Sequence, residues 1–319
     1  MVEKITEGVY RIEVPLVGSP LKYTNSYVIV DSCEALLIDT GFNRDLCYSV
    51  IMDALNELKV KDLRVFCTHL HADHMGLAAR LSDEVLMGKT EAKIVREVMT
   101  TEDYWTDLLK FYIRNGFPED EAKKMLSLHP GRNFYFREDV EFVTVEEEIK
   151  VGSFRLKAIE TPGHSPGHTC LYDELRRLFF SGDHVLIDIT PNITWWPFLE
   201  DSLSSYLQSL EKVENLKVGL VLPGHRRRWS DLRGRIEEIK SHHSNRLGEA
   251  LFALDTPKTA WEVAPSITWD LVYTNWDEVH VVQKWFAVGE TIAHLEHLCR
   301  KGLVDKKEEG GVIKYFRVS

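Results

Sequence analysis

The chain has 319 residues, with 39 Lys and Arg against 50 Asp and Glu, a net charge of −11, 13 His and five Cys. With 44% hydrophobic and 28% charged residues, it can build a sizeable core over about two domains, which excludes disordered, collagen-like and coiled-coil classes. The acidic balance argues against general nucleic-acid binding, and no apolar run is long enough for a membrane span.

In chain order, residues 8–14 alternate apolar and polar side chains as a half-buried strand does. Residues 26–30 and 35–39 are β-rich runs joined by Asp31-Ser32-Cys33-Glu34, a hairpin pattern. Val50, Ile51, Leu55 and Leu58 place a helix over 45–58, and 63–68 is again a strand. Residues 90–128 read as a helical insertion broken near Asn115-Gly116-Phe117-Pro118. Strands return over 140–182, followed by a helix at 201–214, a strand at 218–222 and a long helix at 230–253. After Thr256-Pro257 the pattern becomes a short helix, a longer one ending at Lys301, and a hairpin turning at Glu309-Gly310-Gly311. Alternating blocks of this kind predict a mixed α and β protein. The boundaries expected are a catalytic domain over 1–245 and a winged-helix-like domain over 246–319.

The strongest chemical signal is Thr68-His69-Leu70-His71-Ala72-Asp73-His74, at the end of a strand and ahead of an apolar run. Imidazole and carboxylate donors packed this densely suit zinc or iron. In an extended segment His69 and His71 point the same way, while Asp73 and His74 turn into the following helix.

This pattern resembles the HxHxDH motif of the metallo-β-lactamase superfamily. Other motifs of that family follow the same order: Ile38-Asp39-Thr40-Gly41, Thr161-Pro162-Gly163-His164-Ser165-Pro166-Gly167-His168, Ser181-Gly182-Asp183-His184 and Leu222-Pro223-Gly224-His225. The second of these is similar to the glyoxalase II-like branch, and the tail resembles the lactamase-beta-2-like branch. The resemblance implies an α+β fold, the four-layer αβ/βα sandwich, with a small C-terminal winged-helix-like domain. It also implies two divalent cations, zinc first, with iron or manganese as alternatives. His69, His71 and His164 would hold one; Asp73, His74 and His225 the other; Asp183 would bridge them, and Asp39 would orient ligands. A cation-bound water has its pKa lowered to about 7. Asp73 is the catalytic candidate, orienting that hydroxide and passing its proton to the leaving group.

Further features are weighed against plain packing. Trp195 and Trp196 are candidates for a substrate wall. Arg226 and Arg227, ahead of Arg228, are candidates for attracting an anionic substrate. The aromatic insertion at 90–128 reads first as core packing, with a lid or a dimer contact as alternatives. His168 and His184 read as local hydrogen-bonding residues. His129, His242, His243, His280, His294 and His297 fit no motif and read as surface or core.

From Arg246 to Ser319 nine Lys and Arg face eleven Asp and Glu, so a DNA-binding tail is not expected. The tail is expected to pack on the catalytic domain or on a second subunit. The leading function is hydrolysis of an ester, thioester or lactone by a binuclear site, with a small acyl substrate and a homodimer as an option. The alternatives are an endoribonuclease or phosphodiesterase, with RNA as substrate, and a mononuclear-iron persulfide dioxygenase. No leader is evident at the N-terminus, and the widely spaced cysteines lack a CxxC pair, so a reducing cytoplasm is the compartment expected.

Overall fold

Pleating sorts the apolar strand residues into two sets, and this sorting dictates the layers. The computed structural model describes residues 2–99, 101–133, 140–270 and 275–318. The first half holds β1 (Val2–Thr6), β2 (Val9–Pro15), β3 (Tyr23–Asp31), β4 (Glu34–Ile38), α1 (Asp45–Glu57) and β5 (Asp62–Cys67). Then come α2 (Ala72–Met75), α3 (Ala78–Leu81), β6 (Glu84–Met87), α4 (Lys89–Ile94), α5 (Glu102–Arg114), α6 (Glu119–Leu128) and β7 (Glu141–Thr144). β1 to β7 form one sheet in sequence order, antiparallel up to β4 and parallel from β4 to β7.

The second sheet is built from β8 (Glu148–Val151), β9 (Phe154–Glu160), β10 (Thr169–Asp173), β11 (Leu178–Gly182) and, after α7 (Ser202–Glu214), β12 (Leu220–Pro223). Its strand order is β12-β11-β10-β9-β8. α8 (Leu232–Ala253), α9 (Ala260–Val263), α10 (Val281–Arg300) and the hairpin β13 (Val304–Glu309) and β14 (Val312–Arg317) complete the described elements.

Tyr27, Ile29, Leu36, Ile38 and Phe66 of the first sheet share one apolar cluster with Leu156, Leu171, Phe180 and Leu222 of the second, so the sheets pack face to face. The residues between them in sequence point the other way. Val28, Leu37, Val65 and Cys67 pack on α1 and its neighbours, through Cys47, Ile51 and Leu55. Cys170, Tyr172, Phe179 and Val221 pack on α7 and α8, through Leu203, Tyr206, Leu210, Ile236 and Ile239. This is the expected four-layer sandwich. Strands covered on both faces read as continuous apolar runs, which is why β4 and β11 show no alternation.

The helical insertion does not stand apart as a lid. Tyr112, Phe117, Ala122 and Met125 from α5, α6 and the turn between them share a cluster with Ala250 and Ala253 of α8, Trp285, Val288 and Ile292 of α10, and Tyr315 of β14. The Tyr112 and Trp285 rings stack at 3.5 Å and 7°. The tail thus packs on the insertion of its own chain. The boundary expected at 245/246 falls within α8, whose early turns face the second sheet and whose last turns belong to this C-terminal core. The hairpin closes through Gly310 and Gly311, with φ of 59° and 81°, the pair of positive values that a tight two-residue turn requires. No helix among the described residues is long and apolar enough to cross a membrane.

Candidate metal centre

Each sequence-predicted ligand lies just beyond a strand end, so the ladders bring five segments to one end of the sandwich. Asp39 follows β4, His69 to His74 follow β5, His164 follows β9, Asp183 follows β11 and His225 follows β12. Two glycines make room for this convergence. A side chain at Gly224 would come within 2.5 Å of Asp183 Oδ1 and 2.6 Å of His74 Cε1. One at Gly182 would meet His168 Nε2 at 2.6 Å, and its φ of 48° suits glycine.

The outward nitrogens of four histidines are committed to protein acceptors. His74 Nδ1–H donates to Asp39 Oδ2 at 2.8 Å, His164 Nδ1–H to the Asn192 carbonyl at 2.9 Å, and His225 Nδ1–H to the Tyr23 carbonyl at 3.0 Å. Thr68 donates its hydroxyl to Asp39 Oδ2 at 2.9 Å and accepts from His69 Nδ1–H at 2.9 Å. Each of these bonds commits Nδ1 and leaves Nε2 facing inward as the nitrogen available to a cation.

Those nitrogens meet. His69 Nε2 and His71 Nδ1 are 3.0 Å apart, His71 Nδ1 and His164 Nε2 3.1 Å, and His74 Nε2 and His225 Nε2 3.2 Å. Asp183 Oδ2 lies 3.4 Å from His225 Nε2, 3.5 Å from His74 Nε2 and 3.7 Å from His164 Nε2, facing both sets. Asp73 Oδ2 is 3.3 Å from His225 Nε2 and 3.9 Å from His74 Nε2. The donors form the groups His69/His71/His164, Asp73/His74/His225 and His69/His74/Asp183, each spanning at most 4.8 Å. The fold thus gathers the residues that the motifs grouped in sequence.

The electrostatics of the two halves differ. Burial, then the neighbouring imidazoles His74, His71 and His164, holds His69 well below the ordinary histidine range. Burial, then His164, takes His71 down to about 3. Burial pushes the Asp183 carboxyl up, but His225 and His74 outweigh it and hold it well below the usual range. For His225 burial acts downward, yet Asp183 and Asp73 carry it up to about 10. One half is a neutral nest of nitrogen donors, and the other is an anionic pocket that attracts positive charge. Buried Asp183 Oδ1 has no hydrogen-bond partner. A nest of inward-facing nitrogens beside an unpaired carboxylate oxygen fits divalent cations.

The other sequence candidates are placed differently. Trp196 is buried, stacks on His71 at 6.1 Å between centroids and donates Nε1–H to the His164 carbonyl at 3.0 Å. Trp195 stacks on Phe111 at 3.7 Å. Arg227 makes a forked pair with Asp188, Arg228 pairs with Glu3 at 2.6 Å, and Arg226 reaches the Pro20 carbonyl at 3.4 Å. His168 hydrogen-bonds Thr161 through Nδ1 at 2.9 Å and accepts the Asp183 backbone N–H at Nε2, so it acts locally, as read from the sequence. His184 is buried against Tyr206.

Several residues that hold the centre had no role assigned from the sequence. Thr68 links Asp39 to His69. Asn25 donates to the Pro223 and Arg226 carbonyls on either side of His225, and Thr40 donates to the His74 carbonyl at 2.7 Å. Buried Glu91 accepts from Leu70 N–H, Ser165 Oγ–H and Gly167 N–H, tying together the two loops that carry His69, His71 and His164. A second cluster, His243, Glu290 and His294, lies within the same reach. There Arg246 pairs with Glu290 and His294 Nδ1–H is given to the Glu290 carbonyl, which makes it a hydrogen-bonded junction.

Fold and site together define a hydrolase of the metallo-β-lactamase class. The chain belongs to the metallo-beta-lactamase superfamily, whose profile matches residues 20–225. Residues 247–318 match the metallo-beta-lactamase-like C-terminal domain. It is 26% identical over 337 residues to the probable metallo-hydrolase YqjP of Bacillus subtilis, covering 98% of each chain. It is 26% identical over 249 residues to an atrochrysone carboxyl ACP thioesterase of Aspergillus fumigatus, covering 76% of this chain and 65% of that one. Among solved structures, a metallo-beta-lactamase family protein from Thermus thermophilus superposes with a TM-score of 0.82 at 29% identity, over 99% of this chain and 100% of the other.

Proposed function

We propose that the chain hydrolyses a small carboxylic ester, thioester or lactone, with two divalent cations, zinc first, held by the seven ligands above. The single observation that carries this reading is the convergence of inward-facing histidine nitrogens on two adjoining donor sets that share Asp183. When bound, such cations supply a nucleophilic water at neutral pH and polarise the acyl carbonyl. The chain's own residues do the rest. Asp39, Thr68, Asn192 and Tyr23 hold the imidazoles in their tautomers. Asp73 is the catalytic carboxylate: it accepts a proton from the attacking water and returns it to the departing alkoxide or thiolate.

The acyl preference draws support from the relative named as an ACP thioesterase. The charge pattern supports it too. An RNA substrate needs free cations near the centre for its phosphates. Of the three arginines after His225, Arg227 and Arg228 already have carboxylate partners, and only Arg226, which reaches the Pro20 carbonyl, has none among the described residues. Five free cysteines accord with a reducing cytoplasm as the working compartment.

A panel of acyl-thioesters, aryl esters, lactones, a bis-aryl phosphodiester and single-stranded RNA, offered to zinc-loaded full chain, tests the reading. Turnover of an acyl substrate that is lost in His69→Ala is the expected result. Cleavage of RNA or the phosphodiester alone would overturn the acyl assignment. Chain purified without added metal that carries one iron and shows thiol-dependent oxygen uptake would overturn hydrolysis altogether.

A further inference from the structure

We propose that Glu290, on α10 of the C-terminal segment, is a positioning residue for the metal centre, acting through Asn192 on His164. This rests on the ligand assignment above. Asn192 lies in the connection between β11 and α7, where residues 183–201 form no helix or strand. Its carbonyl accepts His164 Nδ1–H at 2.9 Å, so the direction of that carbonyl sets the tautomer and ring orientation of a metal ligand. No ladder fixes that backbone, so its anchors must come from elsewhere.

Arg235 of α8 holds the Leu186 and Ile189 carbonyls nearer β11, and around Asn192 itself the anchors come from α10. The Asn192 side chain donates to Glu290 Oε2 at 2.6 Å and to the Phe286 carbonyl at 3.3 Å, and Trp195 N–H donates to the Gly289 carbonyl at 3.1 Å. The close approach needs Gly289, where a side chain would collide with Thr194 Oγ1 and Tyr112 Oη. Glu290 is itself 2% exposed and paired with Arg246, so it is held in place at the end of the relay. The C-terminal segment therefore reaches the metal centre through a defined route: α10, Glu290, Asn192, His164.

The alternative is that Glu290 only balances Arg246 inside the protein. Asn192 separates the two roles, because Asn192→Ala removes the side-chain tether, leaves Glu290 only the Ile193 N–H from this segment, and keeps the Glu290–Arg246 pair intact. Asn192→Asp sets two carboxylates face to face. Adding Glu290→Gln restores the bond with reversed polarity. The new amide oxygen still accepts from Arg246, while its N–H donates to the carboxylate introduced at position 192.

The experiment titrates zinc into metal-free full chain against a chromophoric chelator. It reads cobalt absorption as the signature of coordination, with circular dichroism to establish folding. Asn192→Ala should lower the affinity of one cation about tenfold and shift the cobalt bands, and Asn192→Asp should do so more strongly. The double variant should return towards the wild type. Folded Asn192→Ala and Asn192→Asp proteins with wild-type affinity and spectrum would overturn the relay, as would a double variant no better than Asn192→Asp. A wild-type chain that takes up no cation would instead overturn the ligand assignment itself.

Discussion

Asp39 Oδ2 accepts the Nδ1 proton of His74 at 2.8 Å, and the same carboxylate takes the backbone and hydroxyl protons of Thr68. One side chain thereby orients a donor in each half of the site, His74 directly and His69 through Thr68. Asp39 has φ of 59°, a conformation that asparagine also tolerates, so Asp39→Asn leaves the backbone unstrained. The new amide presents a donor or a weaker acceptor to His74 and frees its tautomer. Affinity of the cation at Asp73/His74/His225 should fall roughly 10- to 100-fold. Metal analysis after dialysis against a chelator should find one cation lost more readily than from the wild type. Full retention of both would remove Asp39 from the role assigned to it.

Removing the cations should make stability depend on pH in a direction the geometry fixes. In the metal-free chain His225 is raised from its ordinary value to about 10 by Asp183 and Asp73, against the effect of burial. A raised histidine contributes stability that is full below its unfolded value near 6.5 and is lost as pH climbs through about 10. The cation replaces that proton when it binds. The melting temperature of the chelated protein should therefore fall between about pH 7 and 10 more than that of the zinc-loaded protein, and the gap should widen. A gap that stays constant over this range would show that His225 does not exchange a proton for a cation.

The seven proposed ligands were legible because they sit in short contiguous motifs at strand ends. Of the residues that orient them, Asp39 was legible from its own motif and the others were not. Thr68 and Asp39 lie within motifs, but the bonds between them appear only when β4 and β5 pair in parallel. Asn192, Glu290 and Glu91 act through backbone groups far away in sequence, and nothing in a polar residue beside an apolar helix face distinguishes a tether from a solvated side chain. The long strands and helices followed from periodicity. Edge strand β1 and the four-residue β6 were too short to carry a pattern, and they exist because neighbouring strands offer them a ladder. Packing of the insertion against the tail could be read only as an option, since α5 is amphipathic and α10 is apolar on several faces, and neither pattern names its partner.

Glu91 should leave its own mark on stability. Burial lifts its carboxyl to about 7, overcoming the donors Ser165, Gly167 and Leu70 that act the other way. An acid raised on folding binds more protons folded than unfolded between 4.5 and about 7. Its cost is therefore absent below that window and complete above it, amounting to about 3 kcal/mol at most. In chelated protein the stability of Glu91→Gln relative to wild type should rise across this window. Urea unfolding at about pH 5, 6 and 7.5 measures it. Parallel curves for the two proteins would mean that Glu91 is ionised throughout.

The shared C-terminal core predicts that the insertion and the tail unfold together. Trp285 stacks on Tyr112 and lies at an edge to Phe117, and all three are buried. Trp285→Ala removes the central ring and should cost about 3–5 kcal/mol. Urea unfolding followed by far-ultraviolet circular dichroism should show an earlier midpoint. A loss under about 1 kcal/mol would indicate that the two segments are stabilised separately.

Asp73 is the sharpest test of the chemistry. Its carboxylate faces His225 at 3.3 Å and is 19% exposed, against 9% or less for the Asp183, His74 and His225 side chains around it. It is thus the more accessible of the two carboxylates, while Asp183 faces both donor sets. Asp73→Asn preserves shape and one oxygen donor but cannot take a proton. General acid–base catalysis is worth about 10²–10⁴-fold in typical enzymes, so turnover should fall by that factor. KM should change little, because the acyl group is bound by other groups. The loss should be read with metal content in hand. A variant that retains both cations and full turnover would show that the proton leaves by another route, and one that loses a cation together with its turnover would assign Asp73 to metal binding first.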